Sequence, residues 1–201
     1  MRVLVTGFEP FGGHPENVSW EVARRVTCRA TEGIELAVEL LPVSFTRVAH
    51  SLHKAVERHA PDVVIMLGQS ALTDRVKLER VALNLMDSAM GDNDGYKPSE
   101  EPIYSGENNA LFTTLPIKRL HAAIVDEGIP AKISTSAGVY VCNRLYYEAL
   151  RMCRCGTMQA LFIHLPLYEE QTTTNSEARR MPMADMVKAI EKIINEVTKD
   201  E

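Results

Sequence analysis

Short apolar runs alternate with amphipathic stretches along this chain, the pattern of strands covered by helices. Residues 3–6 form an apolar run that ends in Gly7 and read as a buried strand. An irregular loop follows over residues 8–15. Asn17 or Ser19 then caps a helix running to about Val26, with Glu21 favourably placed in its first turn. Residues 34–43 alternate and then turn apolar, a strand closed by Pro42. Between residues 45 and 59, Val48, Leu52, Ala55 and Val56 share one helical face, and Pro61 stops the helix. Residues 63–67 (VVIML) are the strongest buried strand, ended by Gly68.

The second half repeats the alternation. Residues 85–107 are rich in Asp, Asn, Gly, Pro and Ser and predict a surface excursion rather than a linker. A helix over 115–127 is stopped by Gly128 and Pro130. A short strand over 131–134 precedes a helix over 139–151, and a buried strand over 160–163 precedes a last amphipathic helix over 183–197. Strands alternating with helices of this length predict an α/β fold, one domain over residues 1–201 with a largely parallel sheet.

Composition narrows the function classes. With 45% hydrophobic and 24% charged residues, the chain can bury a sizeable core. The net charge is −5, and no basic run is present to track a phosphate backbone, so nucleic acid is not an expected partner. No apolar stretch approaches the ~20 residues that span a bilayer. Residues 1–7 offer no signal-peptide core, which leads us to expect a soluble, cytoplasmic chain. Four cysteines, Cys28, Cys142, Cys153 and Cys155, read as reduced thiols. The pair Cys153 and Cys155 lacks companions at zinc spacing, and His50 and His53 lack a completing Glu or Cys, so no metal is expected.

Sites in open α/β sheets lie at the carboxyl ends of strands. The first such loop has P-loop-like glycines, but Gly13-His14 stands where Lys-Ser/Thr is needed, so phosphate cradling fails. Its Phe8 and Phe11 either plug the core edge or wall a pocket. Cys142 falls in the first turn of a helix after a small-residue turn, where free N–H groups and the helix dipole favour a thiolate; a buried, inert thiol is the alternative. His164 ends a buried strand, and Glu79 lies among apolar residues. Each has a plainer reading too, a hydrogen-bonded core imidazole and a surface ion pair. Cys, His and an acid together are the parts of a thiol hydrolase.

The chain resembles the type I pyroglutamyl peptidases, also called pyrrolidone carboxyl peptidases. The resemblance is carried by VTGFEPFGG at 5–13, LGQ at 67–69, ERVALN at 79–84, DN at 92–93, TLPIK at 114–118, ISTSAGVYVCN at 133–143 and FIHLP at 162–166. It implies a single three-layer α/β/α domain with a twisted sheet, usually assembled as a homotetramer. The implied activity is removal of an N-terminal pyroglutamyl residue from peptides through a thioester, without metal or organic cofactor. By matching position it implies Cys142 as nucleophile, His164 as base and Glu79 as third catalytic residue. Phe8 and Phe11 would sandwich the pyroglutamyl ring with Gln69 at its polar edge, and Met90, Tyr140 and Val141 would complete the pocket. The sequence departs from the usual pattern at Ser70, Ala71 and Leu72, at Lys77 in place of a hydroxyl residue, at Ala89, Met90 and Gly91, at Tyr140 and at Val43. The departures at residues 70–72 and 89 leave open a non-catalytic or weakly active binding homologue, and a thiol amidase acting on another small acyl group is a further alternative.

Overall fold

The computed structural model describes residues 1–26, 33–173 and 175–200. The central sheet contains β1 (Arg2–Phe8), β2 (Glu35–Leu41), β3 (Val63–Gln69), β4 (Val76–Glu79), β7 (Ala131–Ser134) and β8 (Gln159–Leu165) in the order β2-β1-β3-β8-β4-β7. All neighbours run parallel except β4 and β8, which are antiparallel. Two small sheets pair β5 (Val81–Leu83) with β6 (Ala110–Phe112) and β9 (Leu167–Tyr168) with β10 (Arg180–Met181).

Helices cover both faces, as an α/β/α fold requires. Val3, Val5, Ile65, Leu67, Leu78, Leu161 and Ile163 pack with residues of α1 (Val18–Ala23), α3 (Ile117–Asp126) and α5 (Met183–Val197). The intervening Leu4, Phe8, Val64, Met66 and Phe162 pack with α2 (Val48–His59) and α4 (Val141–Cys153). The two-residue period of a strand therefore assigns each position to a face. It puts His164 on the Phe162 side and Lys77 and Glu79 on the side opposite Leu78.

Local signals set several element ends. Asn17 caps α1, its side chain accepting from Ser19 N at 3.1 Å, and Glu21 lies in the first turn. The helix stops at Ala23 rather than near Val26. Gly7 lies within β1, where a Cβ would meet Trp20 Cα at 2.6 Å, so the glycine lets α1 pack directly on the strand.

One further expectation is corrected. Gly68 does not end β3, which continues to Gln69; the glycine is a strand residue needed for a close approach described below. The segment around Glu79, read from sequence as an acid among apolar residues, forms β4 and β5. These strands are too short to show a period of their own and are fixed by partners distant in sequence. Residues 85–107 form the expected surface excursion, nearly all of them exposed or half-buried. Asp92 is buried and accepts from Phe45 N at 2.8 Å and Tyr96 N at 2.9 Å, which folds this segment back over the loop after β2. Cys28 lies outside the described residues.

Candidate active site

Beneath the carboxyl ends of β1 and β3, one cavity of about 540 Å³ is lined by Phe8, Phe11, Gln69, Met90, Tyr140, Val141, Cys142 and His164. Of the sequence candidates, Glu79 alone stands outside its lining and lies behind His164. The remaining wall comes from Asn17, Val43, residues 70–72, Ser88 and Ala137.

Cys142 is the second residue of α4. That helix begins at Tyr140 in extended conformation with no side chain capping it, so first-turn N–H groups remain for a ligand. Asn143 pins the start of the helix: its Nδ2 donates to Leu83 O at 2.8 Å and Leu85 O at 3.0 Å, and its Oδ1 accepts from Leu83 N at 2.8 Å. Gly68 makes room for the sulfur. A Cβ there would stand 3.1 Å from Cys142 Sγ and 2.7 Å from Phe162 Cζ, and Gly68 is the register partner of His164.

His164 and Glu79 meet although 85 positions separate them: His164 Nδ1 is 2.8 Å from Glu79 Oε1. The carboxylate is fully buried, which overturns the surface-pair reading. Tyr146 Oη donates to the Glu79 carbonyl at 3.0 Å and fixes the end of β4. With Nδ1 engaged by the carboxylate, Nε2 is the imidazole nitrogen left for substrate chemistry.

The thiol corrects one electrostatic expectation. Burial, with the Glu79 carboxylate adding, pushes Cys142 up to about 12, against the helix start and Lys77, which pull it down. Desolvating an anion in this cleft outweighs the backbone hydrogen bond and the Lys77 charge that favour it. Burial thus favours the neutral thiol over the thiolate.

The rest of the pocket is aromatic and apolar with one polar edge. Phe8 serves both readings offered for it, core residue and pocket wall. Phe11 is half-buried, 6.2 Å from the Tyr140 ring. Tyr140 Oη donates to Gly91 O at 3.1 Å, tying α4 to the segment that carries Met90, and burial raises its phenol to about 12. Gln69, which lines the cavity, accepts at Oε1 from Val18 N at 3.2 Å and from Gln171 Nε2 at 2.7 Å, and its Nε2 has no hydrogen-bond partner among the described residues. Gln171, buried and also donating to Glu16 O at 3.3 Å, was missed by sequence reasoning; a polar residue in a loop carries no periodic signal. Of the other candidate ligands, His53 pairs with buried Glu148 at 2.9 Å, and no group of three or more His, Cys, Asp or Glu able to hold a metal occurs among the described residues.

The chain was compared with known proteins. The family model described as pyroglutamyl peptidase matches residues 1–200. The pyrrolidone-carboxylate peptidase of Thermococcus onnurineus is 43% identical over 196 residues, covering 96% of this chain and 97% of the relative. That of Gloeobacter violaceus is 40% identical over 195 residues, covering 96% and 95%. Among solved structures, pyroglutamyl peptidase I from Bacillus amyloliquefaciens superposes with a TM-score of 0.90 at 36% identity, covering 96% of this chain and 94% of that one. A mutant pyrrolidone carboxyl peptidase from Pyrococcus furiosus gives 0.94 at 32% identity, covering 100% and 99%.

Proposed function

The chain belongs to the pyroglutamyl peptidase family, cysteine peptidases that remove an N-terminal pyroglutamyl residue through a thioester, and on that premise we propose that Cys142, His164 and Glu79 carry the reaction. The observation behind this assignment is the 2.8 Å contact of His164 Nδ1 with the buried Glu79 carboxylate, at the wall of the cavity that also holds Cys142.

In this reading His164 takes the Cys142 proton as the sulfur attacks the pyroglutamyl carbonyl carbon. The resulting oxyanion accepts from first-turn N–H groups of α4, that of Cys142 included. The imidazolium, held by Glu79, returns its proton to the departing amine as the C–N bond breaks. The thioester remains, and water activated by His164 hydrolyses it to free pyroglutamate and thiol.

A cyclised N-terminus carries no ammonium, so the pocket needs an apolar slot with a polar edge rather than a recognition acid. Phe8 and Phe11 supply the slot, Met90, Tyr140 and Val141 close it, and Gln69 Nε2 donates to the lactam carbonyl. Leaving such a buried group unpaired costs ~1–3 kcal/mol, which makes the lactam a specificity handle. The test compares hydrolysis of pyroglutamyl, prolyl and glutamyl amides. Pyroglutamyl turnover exceeding prolyl by roughly 10²-fold is expected; equal turnover refutes the selectivity.

The working form in this reading is a cytoplasmic homotetramer. Unpaired Cys142, Cys153 and Cys155 suit a reducing compartment. Exposed Phe112, beside Leu115 and Ile117 at one surface hollow, offers apolar area for an assembly to cover. Light scattering that gives a monomer at micromolar concentration overturns the tetramer.

A further inference from the structure

β4 brings a cation to the carboxylate of the site. Lys77 and Glu79 stand two positions apart and project to the same side of the sheet. Lys77 is also the register partner of His164 across the antiparallel pair. Its Nζ lies 3.6 Å from Glu79 Oε1, the oxygen that His164 Nδ1 meets at 2.8 Å, and the Lys77 side chain is only 20% exposed. Glu79 Oε2 is buried without a hydrogen-bond partner among the described residues. One carboxylate oxygen thus faces both the imidazole and the ammonium.

The other groups around Glu79 do not replace Lys77. From α4, Tyr146 donates to the Glu79 carbonyl rather than to the carboxylate, and Cys142 shares the cavity with His164. From β7, the register partner Ser134 donates to Ser136 O at 3.3 Å. Lys132 pairs with Lys77 in register but is exposed to solvent. A fully buried carboxylate is costly to keep ionised unless a cation stands near it. The same cation acts on the thiol, since the charge of Lys77 favours the Cys142 thiolate. Each proton added to the Cys142–His164 pair makes it more positive, and a fixed positive neighbour resists that addition.

We propose that Lys77 is a positioning residue of the catalytic array, a fixed cation paired with the Glu79 carboxylate that biases the Cys142–His164 pair against taking up a proton. The inference rests on the catalytic assignment above. It is tested with Lys77→Met, which keeps most of the stem and removes the charge, and with Lys77→Arg, which restores the charge. Two profiles are recorded against pH: kcat/KM on a pyroglutamyl amide, and the rate of Cys142 alkylation by iodoacetamide, read by peptide mapping.

Losing the positive charge favours the more protonated state at every step, so both limbs of the kcat/KM profile move to higher pH in Lys77→Met. Partial exposure screens the effect, and a displacement of roughly 0.5–1 unit is expected. The alkylation profile moves in the same direction, and Lys77→Arg returns both towards wild type. Lys77→Met profiles that superimpose on wild type overturn the proposal even if kcat falls, because a merely structural lysine lowers activity without moving the limbs. Should Lys77→Met fail to fold, Lys77→Gln carries the same comparison. A wild-type chain that does not hydrolyse the amide defeats the catalytic assignment. The alkylation profiles still decide on Lys77, a displacement upholding it and superposition overturning it.

Discussion

The ring of Phe162 lies so close to the backbone of Gly68 that a Cβ on Gly68 would stand 2.7 Å from Phe162 Cζ. The same Cβ would come 3.1 Å from Cys142 Sγ, so one missing methyl serves both the packing under α4 and the seat of the sulfur. Gly68→Ala is expected to cost about 1–3 kcal/mol as overpacking and to lower kcat together with stability. Urea unfolding and steady-state kinetics on one preparation check this. A variant as stable and as active as wild type would mean the cleft has slack that these distances exclude.

Substitutions in the array should separate bond-making from orientation. Cys142→Ala and His164→Ala are expected to lower kcat by roughly 10⁴-fold or more, while Glu79→Gln retains one to two orders of magnitude more activity than either. Glu79 sits behind the imidazole and does not line the cavity. Near-wild-type turnover in His164→Ala would defeat the assignment.

The raised thiol gives a pH prediction with a definite sign. A group held at about 12 by burial carries little thiolate near neutral pH, so fast alkylation of Cys142 has to draw on proton transfer to His164. His164→Ala should therefore slow iodoacetamide alkylation of Cys142 at pH 8 by about 10²-fold or more, with the rate climbing as pH rises towards 12. Exposed Cys155 should react equally in both proteins, and buried Cys153, raised to about 11, should react slowly in both. An unchanged Cys142 rate in His164→Ala would show that the helix start alone ionises the sulfur.

Gln171 offers a test of the polar edge from outside the cavity. It does not line the pocket, yet its Nε2 holds Gln69 Oε1 at 2.7 Å. Gln171→Leu removes that donor and frees the Gln69 amide to turn. KM for the pyroglutamyl amide should rise several-fold with kcat little changed, since the interaction lost is one of binding. A fall in kcat at constant KM would place the effect on the chemistry instead.

Much of this protein could be read from its sequence, because the relevant interactions are local. The apolar run at β3, the Asn17 cap, the face shared by Val48, Leu52 and Ala55, and the position of Cys142 at a helix start depend on residues within a few positions of one another. Motif order carried the family for the same reason, since each motif is a contiguous segment. The tertiary structure decided what lies between segments. β4 is only four residues long and takes its identity from pairing with β8 and β7, so neither the burial of Glu79 nor the place of Lys77 beside it has a local signal. Gly68 reads locally as a strand end, and only Phe162 and Cys142 crowding against it show why a glycine is there. The thiol makes the same point energetically. The backbone N–H at the helix start that favours its ionisation is local to α4, whereas the burial and the carboxylate that oppose it come from strands far along the chain, and desolvation is the larger effect.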